Sequence, residues 1–139
     1  MLPARLGVAG FRLALVLVAA FILYLATKQG PVIEAVNDKI KHTLAFGALA
    51  LLADFAFPRS AFGWPKWLAL LGFGVFIEFC QYFLPWREAS FFDVMADGAG
   101  IAAYAAGMPL LDRLPLLSLL PAYRRHLAGA PSLAAPARP

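Results

Sequence analysis

The chain alternates long apolar runs with short polar interruptions: residues 8–26, 40–57, 66–84 and 92–111 are each mostly hydrophobic. Each run approaches the ~20 residues with which a helix crosses ~30 Å of hydrocarbon. Runs of this length, without ten-residue alternation, argue against a membrane barrel. The pattern predicts an all-α polytopic membrane protein, a small bundle of four transmembrane helices joined by short loops. Gly30-Pro31, Pro58, Pro65 and Pro85 fall between the runs, where proline ends a helix by removing a backbone donor. Residues 1–113 read as one transmembrane domain. The apolar stretch 114–120 is too short to span and reads as interfacial, and the Ala/Pro-rich remainder to residue 139 reads as a disordered cytoplasmic tail. Arg5 and Arg12 before the first run resemble the start of a signal peptide. The run is long for one, and Thr27-Lys28-Gln29-Gly30 is a poor cleavage site, so a retained first span is expected.

Composition strengthens this reading. Of 139 residues, 62% are hydrophobic and 14% charged, far more apolar than one soluble core requires. The single Cys80 excludes an internal disulfide and lies in an apolar run, as a buried inert thiol does. A net charge of +4 could serve nucleic acid, but the basic residues are scattered through loops and tail, so no nucleic-acid partner is expected. Arg5, Arg12, Arg59, Lys66, Arg113, Arg124, Arg125 and Arg138 fall on one side of the predicted spans; Lys28, Lys39, Lys41 and Arg87 fall on the other. The positive-inside bias then places both termini in the cytoplasm, for a multi-pass protein of the cytoplasmic (inner) membrane. Small residues at four-residue spacing in the last run (Ala96/Gly100, Ala99/Ala103, Ala102/Ala106, Ala103/Gly107) predict close helix packing and a central fourth helix, with Gly72 and Gly74 serving packing in the third.

The informative residues are the polar ones that interrupt the runs. Glu78 and Gln81 are three apart and share a helix face, as do Asp93 and Asp97, four apart. Asp38, Lys39 and His42 fall within one turn if a helix starts near Asn37, a plausible N-cap. Arg87 suits a carboxylate or a phosphate, and Ser90 stands where a cap for the last helix belongs. With alternating spans, all of these converge on the extracytoplasmic leaflet. An ionisable group in hydrocarbon costs roughly 2.5–3.5 kcal/mol even on lenient scales, so the convergence predicts a polar pocket. A purely structural ion-pair network between the third and fourth helices is the competing explanation.

The ordered set Asp38-Lys39-x-x-His42, Glu78-x-x-Gln81, Arg87-x-x-Ser90-x-x-Asp93 and Gly98-x-Gly100 resembles the VanZ-like family, over roughly residues 37–100. The resemblance implies a small helical membrane bundle and a link to low-level resistance to teicoplanin, a glycopeptide that binds cell-wall precursor peptides. Asp97 departs from the pattern, since the family usually carries Asn there. If Asp97 and Glu78 meet, like-charge repulsion leaves one proton shared between them.

Three functions remain open on these residues. Asp38, Lys39, His42, Glu78, Gln81, Arg87, Ser90, Asp93 and Asp97 form the expected ligand-binding set for a lipid-linked or cell-wall-related amphiphile, with membrane lipids, a lipid-linked precursor or a glycopeptide as partners and a homo-oligomer allowed. Glu78, Asp93, Asp97 and His42 are the candidate catalytic groups of an intramembrane acid/base enzyme acting on an envelope lipid or sugar. Proton-coupled transport is the third. A metal site from His42 with Asp38, Asp93 and Glu78 lacks a recognised ligand spacing such as His-Glu-x-x-His, so neither metal nor cofactor is expected. Ser90 lacks the Gly-x-Ser-x-Gly elbow of a nucleophile. Asp54 and Asp112 read as interfacial charges, and Trp64, Trp67 and Trp86 as interface anchors at span ends.

Overall fold

The computed structural model describes residues 4–29 and 35–111, which form four helices: α1 (Ala4–Thr27), α2 (Ala35–Ala56), α3 (Trp64–Tyr82) and α4 (Phe91–Leu111). No strand occurs among the described residues. The helices match the four apolar runs, with α2 beginning five residues before its run. Asn37 therefore lies inside the first turn of α2 and does not cap it. The expected break at Gly30-Pro31, Asp112, Arg113 and the segment 114–139 lie outside the described residues.

By length and composition, Gly7–Thr27 is the one described segment apolar enough to cross a membrane. Its companions are diluted by the polar residues singled out above: Asp38, Lys39, Lys41 and His42 in α2, Lys66, Glu78 and Gln81 in α3, Asp93 and Asp97 in α4.

The core is centred on α2, whose Phe46, Leu49, Ala50 and Ala53 are buried against Leu70 and Ile77 of α3 and Ile101 and Tyr104 of α4. From α1, Leu15, Val18, Ala19 and Ile22 pack on the same cluster. α2 touches all three other helices, most extensively α4. This corrects the expectation of a central fourth helix. Of the small-residue pairs, only Ala96 and Gly100 are buried, while Ala99, Ala102, Ala103 and Ala106 face outward. At Gly100 a Cβ would collide with the Thr43 carbonyl oxygen and come within 2.9 Å of the Gly47 nitrogen. Backbone thus lies on backbone at the α2–α4 seam, and the Thr43 hydroxyl adds a 3.2 Å bond to the Ala96 carbonyl. Gly72, by contrast, faces open space, so its expected packing role is not realised.

Asp54 is not an interfacial charge. It is 1% exposed, and its carboxylate takes hydrogen bonds from Lys66 Nζ (2.6 Å) and the Tyr104 hydroxyl (2.8 Å). Lys66 also donates to the Phe57 and Ser60 carbonyls, so it is an internal clamp tying the start of α3 to α2 and to the α2–α3 connection, and no longer a loop charge. Arg12 Nε donates to the Ala56 carbonyl (3.1 Å), satisfying an end group of α2 that lacks a helical partner.

The two glycines give opposite expectations. Gly100→Ala forces α2 and α4 apart and is expected to lower stability by about 1–3 kcal/mol, as overpacking does. Gly72→Ala fills open space in a helix interior and is expected to raise it by roughly 0.5–1 kcal/mol. Unfolding midpoints of the purified variants in detergent check both.

Candidate functional site

The polar residues picked from the sequence gather at the end of the bundle where α1 and α3 finish and α2 and α4 begin. α2 supplies Asp38, Lys39 and His42 from its first two turns, since positions 38 and 42 are one turn apart. α3 supplies Glu78 and Gln81 from its last two turns, and α4 supplies Asp93 and Asp97 from its first two. Glu78, Gln81, Asp93 and Asp97 are all buried.

Across the α2–α4 seam, His42 Nδ1 lies 2.7 Å from Asp97 Oδ1, and Lys39 Nζ donates to Asp93 Oδ1 at 3.2 Å. An ionised carboxylate only accepts, so with Asp97 ionised a neutral His42 ring carries its proton on Nδ1 and keeps Nε2 as a free lone pair. Glu78 is held differently. Its Oε2 accepts the backbone N–H of Ser90 at 2.7 Å, and the Ser90 carbonyl in turn accepts the Asp93 N–H. Ser90 therefore stands just ahead of α4 as expected, joined to the site through its backbone. Glu78 and Asp97, which the sequence allows to meet, instead take separate hydrogen-bond partners, Asp97 with His42 and Glu78 with the Ser90 backbone. Glu78 Oε1 and Asp97 Oδ2 are buried with no hydrogen-bond partner.

Gly74 makes room for this arrangement. A Cβ there would overlap Asp97 Oδ2 and come within 3.3 Å of the Phe46 ring. A glycine with a packing role in the sequence reading is thus a seat for a carboxylate.

Gln81 and Arg87 have a task that periodicity did not reveal. Gln81 Nε2 donates to the Ala26 carbonyl (3.1 Å), and one Arg87 nitrogen donates to the carbonyls of Leu25 (2.8 Å) and Lys28 (3.2 Å). Trp86 Nε1 adds a bond to Thr27 O (3.1 Å). Together they satisfy the orphan carbonyls at the end of α1, which has no basic residue in its own last turn.

Between α1, α2 and α3 lies a cavity of about 510 Å³. Its mouth carries Lys28, Asp38, Lys41, His42, Gln81 and Arg87; its walls are Ile22, Leu25, Ala26, Leu44, Ala45, Phe46 and Ile77. On α2 and α3 the polar lining positions lie nearer that end of the bundle than the apolar ones, and α1 brings Leu25 and Ala26 up to its last turn beside Lys28. Of the expected site residues, Asp38, His42, Gln81 and Arg87 line the cavity. Lys39, Glu78, Ser90, Asp93 and Asp97 do not line it. They form the hydrogen-bonded cluster behind His42, so that His42 and Asp38 border both regions. Lys28 and Lys41 belong to the mouth as well. They were read only as topology charges, although Lys41 is one residue from His42.

A model of the family described as VanZ/LLP1 matches residues 11–112. The chain belongs to the VanZ/LLP1 family. No curated protein and no solved structure matches it. The matched region contains all of the polar site and all of α2, α3 and the seam between α2 and α4.

Removing either member of the His42–Asp97 pair is expected to have unequal cost. His42→Ala leaves Asp97, which is 0% exposed, without its donor, a loss of about 1–3 kcal/mol. Asp97→Asn retains an acceptor for Nδ1 and removes the charge, so its loss is expected to be smaller. Detergent unfolding of the two variants provides the comparison.

Proposed function

We propose that this VanZ/LLP1 protein crosses the cytoplasmic membrane with all four helices and binds an amphiphile carrying an anionic headgroup, of the lipid-linked or cell-wall-precursor kind. Support for the four spans comes from an inside-out distribution of side chains. Asp54, Lys66, Glu78, Gln81, Asp93 and Asp97 are buried, whereas Leu44, Leu68, Phe79, Met95 and Leu110 are each more than half exposed. In water this arrangement exposes apolar surface on every helix; in lipid it is the expected one. The positive-inside bias favours cytoplasmic termini and an extracytoplasmic polar mouth.

The observation that carries the ligand reading is the cavity itself, cationic at its mouth and apolar along its walls. Lys28 and Lys41 offer ammonium donors to a phosphate, and an alkyl or prenyl chain fits beside Ile22, Leu25, Leu44 and Ile77. Transport finds less support. Some 18 Å along α2 separates His42 from Asp54, by the rise of 1.5 Å per residue, and Phe46, Leu49 and Ala50 between them are fully buried apolar groups.

Purified protein is expected to bind a polyprenyl phosphate and not the matching polyprenol. Lys28→Ala/Lys41→Ala should weaken binding at least tenfold, while equal affinity in wild type and the double variant would remove the reading. Product analysis of the same lipid after incubation separates binding from turnover. Independently, cysteines placed at positions 28 and 41 should react with an impermeant thiol reagent from outside intact cells. Cysteines at 59 and 61 should not, and equal labelling at both ends would dismiss the orientation.

A further inference from the structure

Asp38, His42 and Asp93 each bring one ligand atom to within 4.8 Å of the others, two from α2 and one from α4. The sequence offers these three together with Glu78 but no recognised ligand spacing, because Asp93 is 51 residues beyond His42 by its number and becomes a neighbour through the α2–α4 seam. We propose that these three residues bind one divalent transition-metal ion at the mouth of the cavity, with Asp97 as the partner that orients the imidazole.

The donor set suits such an ion. One imidazole nitrogen with two carboxylate oxygens is borderline in softness, apt for Zn²⁺ or Mn²⁺ and less so for Ca²⁺ or Mg²⁺, which favour oxygen alone. Asp97 holds Nδ1 at 2.7 Å, leaving Nε2 as the nitrogen able to coordinate. A ligating histidine almost always gives its other ring nitrogen to a carboxylate, a carbonyl or water in this way. At metal–ligand bonds of about 2.1 Å, tetrahedral ligand atoms stand roughly 3.4 Å apart. Asp38 is partly exposed, so its side chain has room to turn towards the other two ligands.

A second observation, outside the three ligands, calls for positive charge. Glu78 and Asp97 are 8% and 0% exposed, and each has a buried carboxylate oxygen with no donor, Oε1 and Oδ2. Both residues lie within electrostatic reach of His42 and Asp93. Asp38, Glu78, Asp93 and Asp97 all lie within electrostatic reach of His42, and among the described residues Lys39, bonded to Asp93, is the ammonium that pairs with one of them. A buried carboxylate without a full set of donors is costly to ionise, and a nearby dication offsets that cost. The ion would also face the cavity through His42 and Asp38, where an anionic headgroup can complete its coordination. That last point rests on the amphiphile reading; the three-residue site does not.

The test uses the full chain in detergent, stripped with chelator and titrated with Mn²⁺ while the signal of the free aquo ion is followed by EPR. One equivalent per chain is expected to bind. His42→Ala and Asp93→Asn should each weaken binding at least tenfold, and Gly72→Ala should bind as wild type. No binding by wild type, or undiminished binding by both ligand variants, would overturn the proposal. Co²⁺ substitution guards against variants that fail to fold: wild type should show visible bands distinct from those of aquo Co²⁺, and an unchanged aquo spectrum would sink the site. The titrations contain no phosphate lipid. Metal binding without polyprenyl-phosphate binding would remove the amphiphile and keep the ion, and the reverse result would remove the ion alone.

Discussion

The backbone contact between α2 and α4 is the constraint on which the rest depends. Because Gly100 lies against Thr43 and Gly47, the first two turns of α4 are held beside those of α2. Only at that separation does a short aspartate at position 97 reach His42, and a lysine at 39 reach Asp93. The contact also orders the energetics. Apolar packing around Phe46, Leu49 and Ile101 holds the middle of the pair together, and polar pairs close it at each end, Asp97 with His42 at one and Asp54 with Tyr104 at the other.

A division of labour follows from that geometry. Polar groups that the sequence presents as one constellation separate into three. Asp97, Asp93 and Glu78 belong to a buried network behind His42; Gln81 and Arg87 anchor the end of α1; Asp38, His42, Lys28 and Lys41 address the cavity. The structural explanation, set against the functional one in the sequence, holds for Gln81, Arg87 and the buried network, and the proposed function draws on the residues that line the cavity. Arg87 shows the overlap most directly, since it lines the cavity while one of its nitrogens is committed to two carbonyls.

Helix number and position were legible because apolar runs of about twenty residues admit few alternatives. So was the convergence of Asp38, His42, Glu78 and Asp93 at one end, since short connections force neighbouring helices to run antiparallel. Pairings were not legible. That Asp97 chooses His42 over Glu78 depends on the rotation of α4 about its axis, and small residues on several faces of that helix left the rotation open. The role of Asp54 was missed for a related reason: Lys66 is separated from it by a connection whose path is set by the carbonyls of Phe57 and Ser60. Nor does any periodicity mark Gln81 and Arg87 as caps, because a carbonyl at the end of another helix leaves no trace in residue type.

The glycine under Asp97 carries a consequence for inheritance. Position 74 has space for a hydrogen and nothing larger while an acid of this length occupies position 97 in its present rotamer. Sites 74 and 97 therefore cannot drift independently. A lineage that acquires alanine or serine at the first must shorten or turn the residue at the second, and in doing so it loosens the grip on His42.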